Sequence, residues 1–192
     1  FYKLWPDPKL LLFIQSFLLG CGAVFVFLIA NKVLKNKTIA LILSLSYLLN
    51  PSIGYANLYD FHSVTLATTF LLGAFFFLLQ KNYLWFFVFS LLSGITKENI
   101  WVIISFFGLY ILIKEKIISK RVCGFFIFLF CAFVFYYLVW IAIPQSRGGH
   151  HFALSYYSDF GDTPTTIIKN ALFSPQKIIE TLNFIHIFYF EL

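Results

Sequence analysis

The feature that most constrains this chain is the stretch from Lys9 to Ala30, where Gln15 is the only strongly polar residue inside an apolar run. A helix needs about 20 such residues to cross the hydrocarbon core of a bilayer, and this stretch has that length. The whole chain agrees, because 60% of its 192 residues are hydrophobic and only 11% are charged. We therefore predict an integral membrane protein, with Gln15 as an interhelical hydrogen-bonding residue.

Short basic runs between the apolar segments predict the topology. Lys32, Lys35 and Lys37 follow the first span without any acid, which is typical of a cytoplasmic loop. The net charge of +6 is therefore expected to face the inner leaflet, so the partner is the lipid bilayer and not nucleic acid. We predict a multi-pass protein of the plasma (cytoplasmic) membrane. Its three cysteines lie in or beside apolar segments and indicate neither disulfides nor zinc.

The expected fold class is all-α, a polytopic transmembrane helix bundle of about six spans plus a truncated last one. An outer loop is expected to carry short interfacial helices. After the first span, the predicted membrane segments are Ile39 to about Ala56 with a break at Asn50-Pro51-Ser52, Val64 to Leu79, the two arms of Leu84 to Ile113, Val122 to Ile143 ended by Pro144, and Phe184 onward.

The segment from Leu84 to Ile113 can be one long span or two short ones that meet at Gly94 to Asn99. Charge favours the hairpin, because one span would place Lys114 to Arg121 outside, against the positive-inside rule. Each arm then measures about 21 Å against a core of about 30 Å, so Lys97 and Glu98 are expected to lie recessed. Thr96 is expected to cap the second arm, with Glu98 in its first turn.

Residues 1–192 are predicted to form one membrane domain. The chain begins at Phe1 without methionine and stops inside an apolar run, so we expect a fragment cut at both ends. Residues 144–183 are predicted to be an extracytoplasmic loop with two short helices, about Pro164 to Leu172 and Pro175 to Asn183, each started by a hydroxyl residue before proline.

Ionisable residues gather on the predicted outer side. Asn57-Leu-Tyr-Asp-Phe-His-Ser63 is a polar stretch between two apolar segments, and it carries Asp60 and His62. A charge at membrane depth costs about 2.5 to 3.5 kcal/mol, so such residues usually serve a function. The expected outer acids are Asp60, Glu98, Asp159, Asp162 and Glu180, whereas Glu115 is the inner one. This partition predicts chemistry on the outer face.

Several of these motifs resemble a known family. Asn57 to Val64 before an apolar span, Thr96-Lys97-Glu98-Asn99 before the next helix, and Arg147 with a later Gly161-Asp162 are similar to the multi-pass family catalogued as domain of unknown function two-zero-seven-nine. The similarity runs from about residue 9 to 183. Ser63 stands where that family commonly has proline, a change expected to loosen the turn.

The resemblance implies a GT-C-like fold, because this family is grouped with the GT-C-type membrane glycosyltransferases. These enzymes transfer a sugar from a polyprenyl-phosphate carrier on the outer face of the membrane. The implied partner is therefore a polyprenyl-phosphate-linked sugar donor. A key carboxylate of the first outer loop in such enzymes is expected to precede Phe1.

Transfer from a phosphate-linked donor needs a carboxylate as base or metal ligand and a cation for the departing phosphate. We predict Asp60 and Glu98 as catalytic residues. The predicted substrate-binding residues are His62, Lys97, Arg147, Asp159 and Asp162, and His150 or His151 are further candidate cations. The cofactor is left open, with a divalent metal held by Asp60, His62 and Glu98 as one alternative.

Structural roles compete with these assignments. Asp60 and His62 can be a solvated loop or a helix-cap pair, Lys97 and Glu98 a structural ion pair, and Asp159 and Asp162 turn residues beside Gly161. Two other functions also stay open. One is a transporter or channel component whose pathway is lined by Lys97 and Glu98, and the other is a non-catalytic membrane scaffold.

Overall fold

The computed structural model describes residues 7–147 and, further along, Thr166, Lys169, Asn170 and Phe173. Every element in this described part is helical, which agrees with the predicted all-α class. In chain order the elements are α1 (Pro8–Leu34), α2 (Lys37–Leu48), α3 (Pro51–Leu58), α4 (Ser63–Leu79), α5 (Tyr83–Gly94), α6 (Ile100–Lys114), α7 (Ile118–Tyr137), a π-helical turn (Leu138–Ala142) and α8 (Ile143–Arg147). Of the described residues, those up to Phe135 form one compact unit, and those from Tyr136 onward belong to a second.

Among the described residues, two helical stretches are long and apolar enough to cross a membrane, Pro8–Leu34 and Ile118–Ser146. The pair α2 and α3 is bent by 42° and counts as a third span if the two helices cross together. Helices α4, α5 and α6 are apolar but shorter. The chain thus has helices able to span a membrane, and the count of about six spans stays a prediction.

Side-chain caps fix the starts of α1 and α3. Asp7 caps α1 by accepting a 2.9 Å bond from the Lys9 N–H, and Pro8 follows as the first helical residue. The amide of Asn50 caps α3 in the same way by accepting from the Ser52 N–H at 2.9 Å. The bend between α2 and α3 therefore confirms the predicted break at Asn50-Pro51-Ser52.

The end of α7 differs from the prediction, which placed a helix stop at Pro144. Helical structure continues past this proline to Arg147, after the π-helical turn Leu138–Ala142. Proline lacks an N–H and its ring clashes with the carbonyl four residues before it. A π-helical turn is wider than an α-helical one, so it lets the chain pass the proline without ending the helix. The remainder of the predicted outer loop lies outside the described residues, apart from the four helical positions named above.

Helices α1 and α4 lie side by side and run in the same direction. The Thr69 hydroxyl donates to the Leu18 carbonyl at 2.6 Å, the Phe25 and Phe76 rings are 6.1 Å apart, and the Lys32 ammonium donates to the Gln80 amide at 2.8 Å. These contacts advance along both helices in the same order. Hydrogen bonds from hydroxyl groups help to hold apolar helices together in a membrane. Lipid is as apolar as the helices there, so the hydrophobic effect does not drive their association.

Helices α5 and α6 form the predicted hairpin. The Tyr83 hydroxyl at the start of α5 donates to the Glu115 carboxylate just after α6 at 3.1 Å, and Phe86 packs on Phe107 in the middle of α6, with ring centroids 6.1 Å apart. At the other end of the pair, the Trp101 ring packs directly on Gly94. The two helices are therefore antiparallel, as the charge argument predicted, and one long span is excluded.

The connections gather at two ends of the helices in residues 7–135. The basic end comprises residues 32–37, 80–83 and 114–121, which hold eight Lys and Arg residues and Glu115. The polar end comprises the knot, residues 57–63, and the tip, residues 95–99, which hold Asp60, His62, Lys97 and Glu98. Contacts between neighbouring helices link the connections within each end.

Candidate functional site

Gln15 of α1 anchors the knot, and its side chain is fully buried. Its amide nitrogen donates to the Ala56 carbonyl at 2.9 Å, just before the knot. Its amide oxygen accepts from the His62 N–H near the end of the knot at 3.1 Å and from the Thr65 hydroxyl just after the knot at 2.9 Å. One side chain therefore holds both sides of the knot against α1. The predicted interhelical role of Gln15 is confirmed.

Asp60 and His62 are both exposed on this anchored knot. His62 occupies the N-cap position of α4, but its ring makes no capping bond. Instead, ring Nδ1 lies 2.7 Å from the Asp60 carbonyl oxygen, and the ring is 5.4 Å from that of Tyr59. A side-chain cap by His62 is thus excluded, and the Asp60 carboxylate is presented at the surface.

The tip differs in one detail from its prediction. The Thr96 hydroxyl donates to the Ser93 carbonyl at 2.6 Å, so Thr96 closes the end of α5 and does not cap α6. Helix α6 begins at Ile100, and Asn99 at its N-cap makes no side-chain bond. The first N–H groups of α6 bond three residues back, which tightens this turn and satisfies them without a cap. The threonine hydroxyl is therefore used on the preceding helix.

Lys97 and Glu98 lie in this turn between the two helices. Lys97 is exposed and Glu98 is half-buried. Their carbonyl groups accept the bonds from Ile100 and Trp101, at 3.2 and 3.3 Å. The backbone of both residues is therefore fixed by the start of α6.

A hydrogen bond joins the knot to the tip. The Ser63 hydroxyl donates to the Thr96 carbonyl at 3.1 Å. Ser63 is the first residue of α4, a position that proline also fits. The serine was expected only to loosen the turn, but it ties α4 to the hairpin. The structure thus brings the stretch with Asp60 and His62 against the one with Lys97 and Glu98.

The other predicted site residues are placed only in part. Arg147 is the last residue of α8. Asp159, Asp162, His150 and His151 lie outside the described residues. Within the described part of the chain, no group of three or more His, Cys, Asp or Glu side chains is arranged to hold a metal ion. Asp60, His62 and Glu98 therefore do not form the ligand cluster considered above.

Ionic and neutral polar contacts hold the basic end. The Glu115 carboxylate lies 3.0 Å from the Lys81 ammonium and accepts from the Tyr83 hydroxyl at 3.1 Å. The hydrogen bond from Lys81 is the main cause that lowers the pKa of Glu115 below its usual value. The Lys120 ammonium lies 5.3 Å from the centre of the Tyr83 ring. The contacts at the basic end therefore depend on charged side chains, whereas the hydrogen bonds of Gln15 do not.

Sequence reasoning identified Gln15 but not its partners. A polar residue in an apolar run signals a hydrogen bond, yet the Ala56 and His62 groups it meets lie 41 and 47 residues away. The Ser63 bond to Thr96 was also missed, since a backbone acceptor carries no sequence signal. Both contacts depend on which helices are neighbours.

Comparison with known proteins places the chain in a family. The family model described as "Predicted membrane protein (DUF2079)" matches residues 1–191. No significant match to the chain was found among curated proteins or among solved structures. Because the family model covers nearly the whole chain, this protein belongs to the DUF2079 family of membrane proteins.

Proposed function

We propose that this protein is a GT-C-like glycosyltransferase that uses a polyprenyl-phosphate-linked sugar on the outer face of the plasma (cytoplasmic) membrane. The observation that carries the proposal is the Ser63 bond to the Thr96 carbonyl, which sets two ionisable stretches side by side. In this proposal the chain is a multi-pass bundle of about six spans, with its polar end outside. The bilayer and the lipid-linked donor are its partners.

The proposed reaction divides the roles by charge. An acceptor hydroxyl attacks the anomeric carbon of the donor sugar, its proton passes to a carboxylate, and the carrier phosphate leaves with the bonding electron pair. Asp60 and Glu98 are the proposed catalytic carboxylates. The proposed substrate-binding residues are His62, Lys97, Arg147, Asp159 and Asp162, of which the cations would stabilise the departing phosphate.

An apolar groove supports a lipid-linked substrate. It has a volume of about 680 Å³ between α1, α2 and α4, and it extends to Asn50, the residue that caps α3 shortly before the knot. Its walls include Val26, Ile29, Leu43, Leu72 and Phe75. Such a lining suits a hydrocarbon chain, because it offers apolar area with few polar groups to leave unsatisfied.

The buried polar residues support an enzyme over a transporter. The buried polar side chains of the described residues are all uncharged: Gln15, Ser44, Thr69, Ser90, Ser93 and Ser105. Pathways for ions and charged substrates are usually marked by ionisable residues within the spans. Within residues 7–147, the Asp, Glu, Lys, Arg and His residues lie at or near the ends of the helices or in the connections, which suits chemistry at a membrane surface.

The test is sugar transfer by the purified full-length protein supplied with polyprenyl-phosphate-linked sugars. Asp60→Asn and Glu98→Gln are each expected to lower kcat by about 100-fold or more, as expected for loss of a general base. Glu115→Gln is the matched control, because it also converts a carboxylate to an amide but lies at the basic end. Equal activity in all four proteins, or no transfer by the wild type, would overturn the proposal.

A further inference from the structure

A small pocket lies at the basic end, between the end of α6 and the start of α7. It has a volume of about 260 Å³ and is lined by Leu112, Ile118, Arg121, Val122 and Phe125. Arg121 Nε donates to the Leu112 carbonyl at 3.2 Å. This bond fixes the base of the guanidinium group, and its terminal nitrogens carry four further donor hydrogens.

The pocket lies in an excess of positive charge. Lys114, Lys116, Lys120 and Arg121 fall within eight residues of the chain. Glu115, the acid in the same stretch, is held at 3.0 Å by Lys81. No described acidic side chain pairs with Arg121, since the ion pair found at this end joins Lys81 and Glu115. The guanidinium group therefore suits an anionic ligand from outside the chain.

The other residues that line the pocket are apolar and suit a hydrocarbon ligand. Ile118 is 75% exposed, Val122 46% and Phe125 44%, so one side of this pocket is an open apolar surface. Ile118 also begins a helix long and apolar enough to cross a membrane, so this surface faces lipid acyl chains in a bilayer. A free phosphate ion would pair with Arg121 but would make no contact with these apolar walls. A phospholipid satisfies both parts, since its phosphate and its acyl chain are joined.

We propose that this pocket binds one anionic phospholipid of the adjacent leaflet. The phosphate pairs with the guanidinium group of Arg121, a geometry that suits arginine better than lysine. One acyl chain lies against Ile118, Val122 and Phe125, which follow one another along the first turns of α7. The site is independent of the proposed sugar transfer, because it lies at the opposite end of the helices from the knot and the tip.

The experiment is native mass spectrometry of the full-length protein in detergent, titrated with phosphatidylglycerol or with phosphatidylcholine of the same acyl chains. Wild-type protein is expected to retain the anionic lipid preferentially. Arg121→Ala should weaken this binding about tenfold to a hundredfold, the range for a hydrogen bond to a charged group. Lys116→Ala is the matched control, because it removes the same charge from an exposed residue that does not line the pocket.

A second variant separates the two halves of the site and guards against misfolding of Arg121→Ala. Val122→Trp fills the apolar side and keeps the guanidinium group, so it should also weaken binding of the lipid. Glycerol phosphate, which has no acyl chains, should bind far more weakly than the lipid to the wild type. Equal retention of both lipids, equal losses in Arg121→Ala and Lys116→Ala, or undiminished binding in Val122→Trp would each overturn the proposal.

Discussion

The two ends of the helices are held together by different interactions. At the basic end, charged side chains contact other side chains, as in the 3.0 Å pair of Lys81 with Glu115. At the polar end, neutral side chains bond to backbone groups, as Gln15 does with Ala56 and Ser63 with Thr96. The polar end is therefore fixed mainly by groups that do not titrate.

This difference shows how the two ends can serve different purposes. At the basic end, charged side chains hold the structure by pairing with other side chains, so these charges are engaged before any ligand binds. A neutral scaffold fixes the backbone and leaves the exposed carboxylate of Asp60 and the exposed ammonium of Lys97 at the surface. Fixed geometry with charged groups at the surface is what a reactive site needs.

Gln15→Leu should produce the largest effect and would break the polar end. It leaves the half-buried carbonyl of Ala56 and the N–H of His62 without their partner, at a cost of about 2–4 kcal/mol in the free energy of unfolding. Thermal unfolding in detergent measures the loss. Ser16→Ala is the control, because it removes one exposed hydrogen bond between α1 and the knot, from the Ser16 hydroxyl to the Asn57 side chain, and leaves no buried group without a partner. Equal stability of Gln15→Leu and Ser16→Ala would show that the knot does not depend on this anchor.

Gly108→Ala tests the contact between α6 and α7, away from the polar end. An added Cβ would lie 2.6 Å from the Phe128 nitrogen and 2.8 Å from the Gly124 oxygen, both backbone atoms. The forced separation of the helices should cost about 1–3 kcal/mol in unfolding free energy. Gly20→Ala is the control, since nothing lies within 4 Å of its Cβ position, and it should be neutral or stabilising. Equal effects of the two substitutions would contradict the close approach.

Ser63→Ala should have a smaller effect and tests the tie between knot and tip. Loss of the hydroxyl should lower the unfolding free energy by about 0.5–1.5 kcal/mol. The sharper readout is disulfide cross-linking between cysteines placed at Asp60 and Lys97, whose yield should change in Ser63→Ala. Thr68→Ala serves as a control, because it removes a hydroxyl from the same helix without touching the tip or the Gln15 anchor. An unchanged cross-linking yield would mean that the two stretches are held by other contacts.

Glu115→Gln should have the smallest effect on the unfolding free energy at neutral pH. It tests whether the basic end, unlike the polar end, is held by contacts that depend on pH. The pKa of Glu115 is lower in the folded protein than its usual value of 4.5, so folding favours the charged form. Its stabilisation is complete above that usual value and disappears as the pH falls through the lowered one. Thermal unfolding from about pH 7 to about pH 3 should therefore show an acid loss in the wild type that is reduced in Glu115→Gln. The same loss of stability at low pH in both proteins would show that the acid sensitivity comes from other groups.

Sequence reasoning reached the helical class and the hairpin because both are local or collective properties. The apolar run with Gln15 and the bases after Ile113 are visible in the sequence without knowledge of any contact. The passage of the helix through Pro144 was not foreseen, because a π-helical turn has no reliable sequence signal. The role of Thr96 was also wrong, since a hydroxyl between two helices can bond to either of them.

The grouping of Asp60 and Glu98 at one end of the helices was predictable from the sequence, but the contact that joins their segments was not. Charge partition placed Asp60 and Glu98 on one side, and the observed helix order groups their segments at the same end. What joins them is the Ser63 bond, which no pattern of residue types encodes. Asp159 and Asp162 stay predictions.

The Ser63 bond also has an evolutionary consequence. Its acceptor is a carbonyl, which every residue type supplies, so position 96 can change freely without loss of the bond. Its donor is a hydroxyl, so position 63 cannot change to proline and keep it. A related chain with proline there must hold its hairpin by another contact, and substitutions at these two positions should therefore be tolerated very unequally.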